Sequence, residues 1–202
     1  MQINTDMTGL IGITLALISV SAQLLRSAKT LSLRNRVGLL IGVAVMLSIP
    51  LPSLGLSPAG FVRGITGDLS VATLVLLVLA LVRALTGYSF VEAQNRMAAL
   101  RVFWIVAACF YPLALGFGMF DPYRLGYGNL WFMVALLCLA VLASLRYSAL
   151  LALCISLAVA AWSIGWYEST NLLDYLLDPW LAIYALLAQA KHWLTRWRTI
   201  DA

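Results

Sequence analysis

Any chemistry in this chain must come from few residues. There is one histidine, His192, beside Lys191, and there are eight acidic residues. A single imidazole cannot supply paired haem ligands. No HExxH, P-loop, GxSxG or dinucleotide fingerprint occurs. The three cysteines, Cys109, Cys138 and Cys154, each stand in an apolar run and form no CxxC pair. That pattern offers neither a disulfide framework nor zinc spacing, and suits small apolar packing residues. The expectation is no catalytic centre, no metal and no cofactor.

What remains is a set of charged and aromatic residues in three short segments rich in turn formers. The first, 57–68, carries Arg63 and Asp68. The second, 120–128, carries Asp121, Tyr123, Arg124 and Tyr127. The third, 167–178, carries Glu168, Asp174 and Asp178. The arginines are suited to a lipid phosphate or a partner carboxylate. The carboxylates Asp68, Asp121, Glu168 and Asp174 are suited to general-base work or to a hard cation. A plainer reading competes: Asp68 and Asp178 as helix caps, Asp121-Pro122 as a turn, and arginines paired locally.

The elements that must carry these segments are transmembrane helices. Of 202 residues, 63% are hydrophobic and 10% charged, with a mean hydropathy of +0.96. A water-soluble domain usually has about 25% charged residues. Apolar runs near the ~18–20 residues that cross a bilayer recur along the chain. The reading is an all-α, polytopic helical bundle, a single membrane domain of seven spans. They lie at about 7–25, 37–54, 69–85, 102–119, 129–145, 147–166 and 179–193. Residues 1–7 hold no Lys or Arg, so the first span reads as a retained helix rather than a signal peptide. Asp68, Asn129 and Asp178 read as caps, with Pro179 at a first helical position. Pro50 and Pro52 should end or kink span two near its outer end, and Pro112 should bend span four. Residues 87–100 form the longest inner connection, with room for a short amphipathic helix. Leu172–Leu177 either extends span seven or forms a separate turn.

Charge fixes the orientation. Of thirteen basic residues, eleven fall on one side: Arg26, Lys29, Arg34, Arg36, Arg83, Arg96, Arg101, Arg146, Lys191, Arg196 and Arg198. Arg63 and Arg124 fall on the other. The positive-inside rule places the N-terminus outside and the C-terminus in the cytoplasm. Asp6, Asp68, Asp121, Glu168, Asp174 and Asp178 then lie outside, with Glu92 and Asp201 inside. Trp131, Trp166, Trp180, Tyr123, Tyr127, Tyr167 and Tyr175 mark the outer boundary, and Trp193 and Trp197 the inner one. The basic, Trp-containing stretch 191–198 suits anionic lipid. Basic and aromatic residues could also serve nucleic acid, but this setting argues against it.

No Asp, Glu, Lys or Arg stands at mid-span, which weighs against a proton-coupled pump. Ser19, Ser48, Thr73 and Ser156 can bond to helix backbone without any substrate. Gly38 and Gly42 form a GxxxG pair, and Gly12 with Ala16 offers a similar small face, both suited to close helix packing. The expected function is a non-catalytic integral subunit or accessory protein of a cell-envelope process. Its partners would be the bilayer and a membrane or periplasmic protein, not nucleic acid. Eleven arginines against two lysines, with heavy Leu and Ala usage, suggest a bacterial inner membrane. Two alternatives stand beside it. One is an enzyme acting on lipid or lipid-linked sugar at the outer boundary. The other is a small transporter or channel for a neutral solute.

Overall fold

The computed structural model describes residues 5–25, 32–52 and 55–198, with all side chains in those ranges but Thr5, Tyr147, Trp197 and Arg198. Arg26, Lys29 and Asp201, used above to orient the chain, lie outside the described residues. Among the described residues the protein is all-helical, with no strand. The helices are α1 (Thr5–Leu25), α2 (Leu33–Ser48), α3 (Pro58–Thr66), α4 (Val71–Thr86) and α5 (Ala93–Ala114). A 3-10 turn (Pro122–Gly126) follows, then α6 (Leu130–Leu142), prolonged by a π turn (Ala143–Tyr147). The chain continues with α7 (Ala149–Ser163), α8 (Leu172–Leu176) and α9 (Pro179–Arg198).

Two helices, Asp6–Leu25 and Ala93–Ala114, are long and apolar enough to cross a membrane. Val71–Thr86, Leu130–Arg146 and Ala149–Ser163 are apolar but shorter. At 1.5 Å per residue, α4 and α7 span about 24 and 22 Å, against about 30 Å of hydrocarbon.

Local chemistry explains the boundaries. Asn129 accepts from Phe132 N at 3.1 Å and Asp178 from Leu181 N at 2.8 Å, so both cap helices as expected. Helix α2 stops at Ser48, before Pro50 and Pro52. Three expectations are corrected. Segment 57–68 is not a loop: Ser57 caps α3 through Gly60 N, Pro58 occupies a first-turn position, and Gly67 (φ 73°) ends the helix. The inner connection 87–100 shrinks to Gly87–Glu92, because Ala93–Leu100 are good helix formers that run directly into the apolar stretch of α5. Span four stops at Ala114 rather than 119, where Pro112 is followed by Gly116 (φ 89°). Leu172–Leu176 is a separate helix, broken from α9 by extended backbone at Leu177.

The chain groups into two compact units. One comprises Met1–Leu69, Thr73–Phe90 and Gly165–Glu168; the other comprises Ser70–Ala72, Val91–Ile164 and Ser169–Ala202. In the first, α1, α2 and α3 pack together. Ile13, Ala59 and Leu69 form one core, joined by Leu74 and Leu77; Ala22, Leu40 and Ala84 form another. Ser19 is fully buried and donates to Leu15 O (2.7 Å) and Leu77 O (3.2 Å), tying α1 to α4. Ser48 bonds back to Ala44 O at 2.9 Å.

In the second unit α5 packs on α9 and α7, and α7 on α6 and α8. Ala99, Leu100, Phe103 and Ala107 give α5 a buried stripe at helical spacing. Gln189 Nε2 donates to Met97 O (3.0 Å), and Ser148 Oγ to Asn95 O (2.8 Å). Every residue from Leu172 to Leu177 except Asp174 is buried.

The small-residue faces differ. A Cβ on Gly12 would meet Leu74 Cδ2 at 3.4 Å, so Gly12 lies against α4. A Cβ on Gly38 or Gly42 would meet nothing within 4 Å, so among the described residues neither glycine of that GxxxG pair is packed against another helix.

Candidate functional site

The charged residues of the three segments sort into two clusters and one open surface. The first cluster lies in the first unit, around Arg63 on α3. Its Nε donates to Asp68 Oδ1 (2.6 Å) and its Nη2 to Asp68 Oδ2 (3.1 Å), a bidentate fork. Its Nη1 donates to Asp6 Oδ1 (2.9 Å) at the start of α1. Gly9, one helical turn beyond Asp6, makes room: a Cβ there would run into Asp68 Oδ1 and Arg63 Nε. The Asp68 hydrogen bond raises the guanidinium pKa beyond its already high value, outweighing the opposing effect of burial, and Asp6 adds to the rise. Two carboxylates face one guanidinium, so the cluster keeps one formal negative charge. Asp68 is therefore an ion-pair partner. Helix α4 starts three residues later, at Val71, so the expected capping role is not what its carboxylate performs.

The second cluster lies in the second unit, around Asp174 on α8. Tyr123 Oη donates to Asp174, 2.9 and 2.8 Å from the two oxygens, and Ser169 Oγ donates to Oδ2. Burial, followed by the Asp174 hydrogen bond, pushes the Tyr123 phenol pKa well above its ordinary value. Asn171, fully buried, accepts from Leu173 N (2.9 Å) and donates to Tyr123 O (2.9 Å). Gly126 abuts this amide so closely that a Cβ would collide with Asn171 Oδ1. Tyr175, also fully buried, donates to Ser169 O at 3.0 Å. The 3-10 turn is thereby fastened to α8 by hydroxyl and amide donors, without a cation. Asp121 caps that turn through Tyr123 N at 3.0 Å.

Asp178, 5% exposed, accepts from Ser70 N (2.8 Å) as well as from its own helix. Tyr167 is buried and donates to Leu69 O (2.7 Å). Tyr167 and Tyr175 are thus packed inside the protein. Glu168 is exposed.

The open surface runs from the end of α5 to the start of α6. Phe117 is 83% exposed and Trp131 79% exposed, and Leu115, Met119, Phe120, Tyr127 and Leu130 are exposed too. Arg124 is exposed within it and has no ion-pair or hydrogen-bond partner among the described residues. Tyr127 leans edge-on against Tyr123, with ring centroids 5.8 Å apart.

Of the expected site residues, Tyr123 and Asp174 meet directly, Arg63 and Asp68 meet directly, and Asp121 serves the backbone beside them. Sequence reading missed Asp6, Gly9, Gly126, Ser169 and Asn171 as members of these clusters. The Ser169-x-Asn171 pattern, two turn-forming side chains ahead of an apolar run, was the available signal. Among the described residues no group of three or more His, Cys, Asp or Glu could hold a metal ion. No family model matches the chain, and no curated protein or solved structure matches it.

Proposed function

We propose that this chain is a multi-pass membrane protein of seven spans, N-terminus outside and C-terminus cytoplasmic, in a bacterial inner membrane. It acts there as a non-catalytic accessory subunit of a cell-envelope process, through the outer-face segments. A helix overlaps each of the seven apolar runs. The shorter ones fit a bilayer through local thinning or flanking aromatic and basic anchors.

One observation carries the functional reading. Asp68, Asp121, Asp174 and Asp178 are each engaged in an intrachain bond that holds local structure. Those bonds give each of these four carboxylates a structural part in its own unit. What the second unit presents instead is a set of exposed apolar and aromatic residues between Leu115 and Trp131, of the sort that marks a docking region.

The test is purification of the full chain in a gentle detergent, followed by mass spectrometry. A partner present in stoichiometric amount, and lost from a Phe117→Ser/Phe120→Ser variant of normal abundance, supports the reading. Turnover of a lipid or lipid-linked sugar by the purified chain, abolished in Asp174→Asn, overturns it. Tags at the two ends must report opposite compartments.

A further inference from the structure

We infer that Arg124, flanked by Tyr127 and Trp131, binds the phosphate of an anionic phospholipid headgroup. The inference rests on the proposed orientation, which puts the end of α5 at the outer boundary, and it names what the outer surface of the second unit holds. Sequence alone leaves Arg63 and Arg124 as equals, each able to take a phosphate. The structure separates them. Arg63 spends three of its nitrogens on Asp68 and Asp6. Arg124 is exposed and unpaired among the described residues. The nearest acidic residue in sequence, Asp121, turns its carboxylate to Tyr123 N.

The surroundings select lipid over a soluble anion. Arg124 lies in the 3-10 turn, and the exposed Tyr127 is the residue that ends it. The exposed guanidinium offers several donors to phosphate oxygens, and a phenol three residues on is a further one. Phe117 and Met119 after α5 and Trp131 at the start of α6 are exposed, which costs little where they dip into the acyl boundary and much where they face water.

The experiment is native mass spectrometry of the full chain in mild detergent, titrated separately with phosphatidylglycerol, phosphatidylcholine and inorganic phosphate. Phosphatidylglycerol should be retained in preference to phosphatidylcholine. Arg124→Gln should weaken that retention roughly tenfold, the worth of one charge-assisted contact, with Arg124→Lys in between. Lys191→Gln, in the basic stretch of α9, should leave this component unchanged. Since Arg124 bonds to none of the described residues, the thermal midpoint of Arg124→Gln should match the parent. Equal retention by parent and Arg124→Gln overturns the inference. So does displacement of the lipid by inorganic phosphate at equal concentration, or loss of an acidic co-purifying protein with lipid retention intact. Labelling of Arg124→Cys in intact cells by a membrane-impermeant thiol reagent separates the two levels. A site reached from outside but indifferent to lipid sinks this inference alone, whereas a site closed from outside sinks the proposed orientation.

Discussion

The two clusters solve the same problem by different chemistry. Around Arg63, carboxylates are held by a guanidinium in a fork. Around Asp174, a carboxylate is held by a phenol and a serine hydroxyl, with a buried asparagine bracing the turn beside it. The first is an ion pair whose strength depends on charge and screening. The second is a network of hydroxyl and amide donors whose strength depends on shape and on every partner being in place. Residues of one type therefore differ in what they leave for function. Arg63 is used up by its own unit, and Arg124 is not.

If the second cluster depends on shape, crowding it should cost more than any charge change in the first. Gly126→Ala places a methyl against Asn171, whose amide is fixed by two hydrogen bonds and has no exposed surface to move into. The expected loss is about 3 kcal/mol, from overpacking combined with an unsatisfied buried amide. Denaturant unfolding in mild detergent measures it. A loss under about 0.5 kcal/mol, the scale of ordinary surface substitutions, would show that the turn is loosely held.

Removing the central cation of the first cluster should come next. Arg63→Met leaves Asp68 and Asp6 facing each other without a counter-charge. The side chains of Arg63 and Asp68 are 19% and 27% exposed, between the regimes of surface and buried pairs. A loss of about 2 kcal/mol is expected, reduced in Arg63→Met/Asp68→Leu, where no charge is stranded. A double variant as unstable as the single one would break the ion-pair account.

The second cluster should also show an alkaline signature. The Tyr123 phenol pKa is raised in the folded state, so the folded protein keeps a proton that the unfolded chain releases above about pH 10. Its contribution is complete below that pH and is lost as pH rises toward the higher folded value. Tyr123→Phe should lower stability by about 1 kcal/mol near neutral pH, and the gap should narrow above about pH 10. A gap constant to pH 11 would mean that burial and the Asp174 hydrogen bond do not hold the phenol neutral.

Much of the fold was legible because apolar runs and capping residues are local signals. The runs carry the helices, and Asn129 and Asp178 sit where their types place them. Segment 57–68 misled because Gly60, Gly64 and Gly67 resemble a loop, while Ser57-Pro58 starts a helix that needs only nine residues. The clusters were legible as a set of charged segments and not as pairings. Arg63 and Asp6 are 57 residues apart, and Tyr123 and Asp174 are 51 apart. Gly9 and Gly126 matter for what stands opposite them, which no local pattern reveals. Arg63 and Arg124 have the same side chain in similar company, and only the fold shows which one is occupied.

The smallest effect tests whether the two arms of the Arg63 cluster are equal. Asp6 receives one guanidinium nitrogen and its side chain is 72% exposed, whereas Asp68 takes the fork and is 27% exposed. Water and salt screen the first arm far more than the second. Asp6→Asn should therefore cost no more than about 0.5 kcal/mol, and that cost should fade by 0.5 M salt, where the Debye length drops to about 4 Å. Asp68→Asn should cost about 1–2 kcal/mol and keep most of it at the same salt, because its fork is partly shielded and loses its charge-assisted geometry. Thermal midpoints of both variants at low and high salt read the contrast directly. Equal losses with equal salt dependence would mean that Arg63 is held by diffuse attraction, and the distinction between a fixed fork and a screened arm would fall with it.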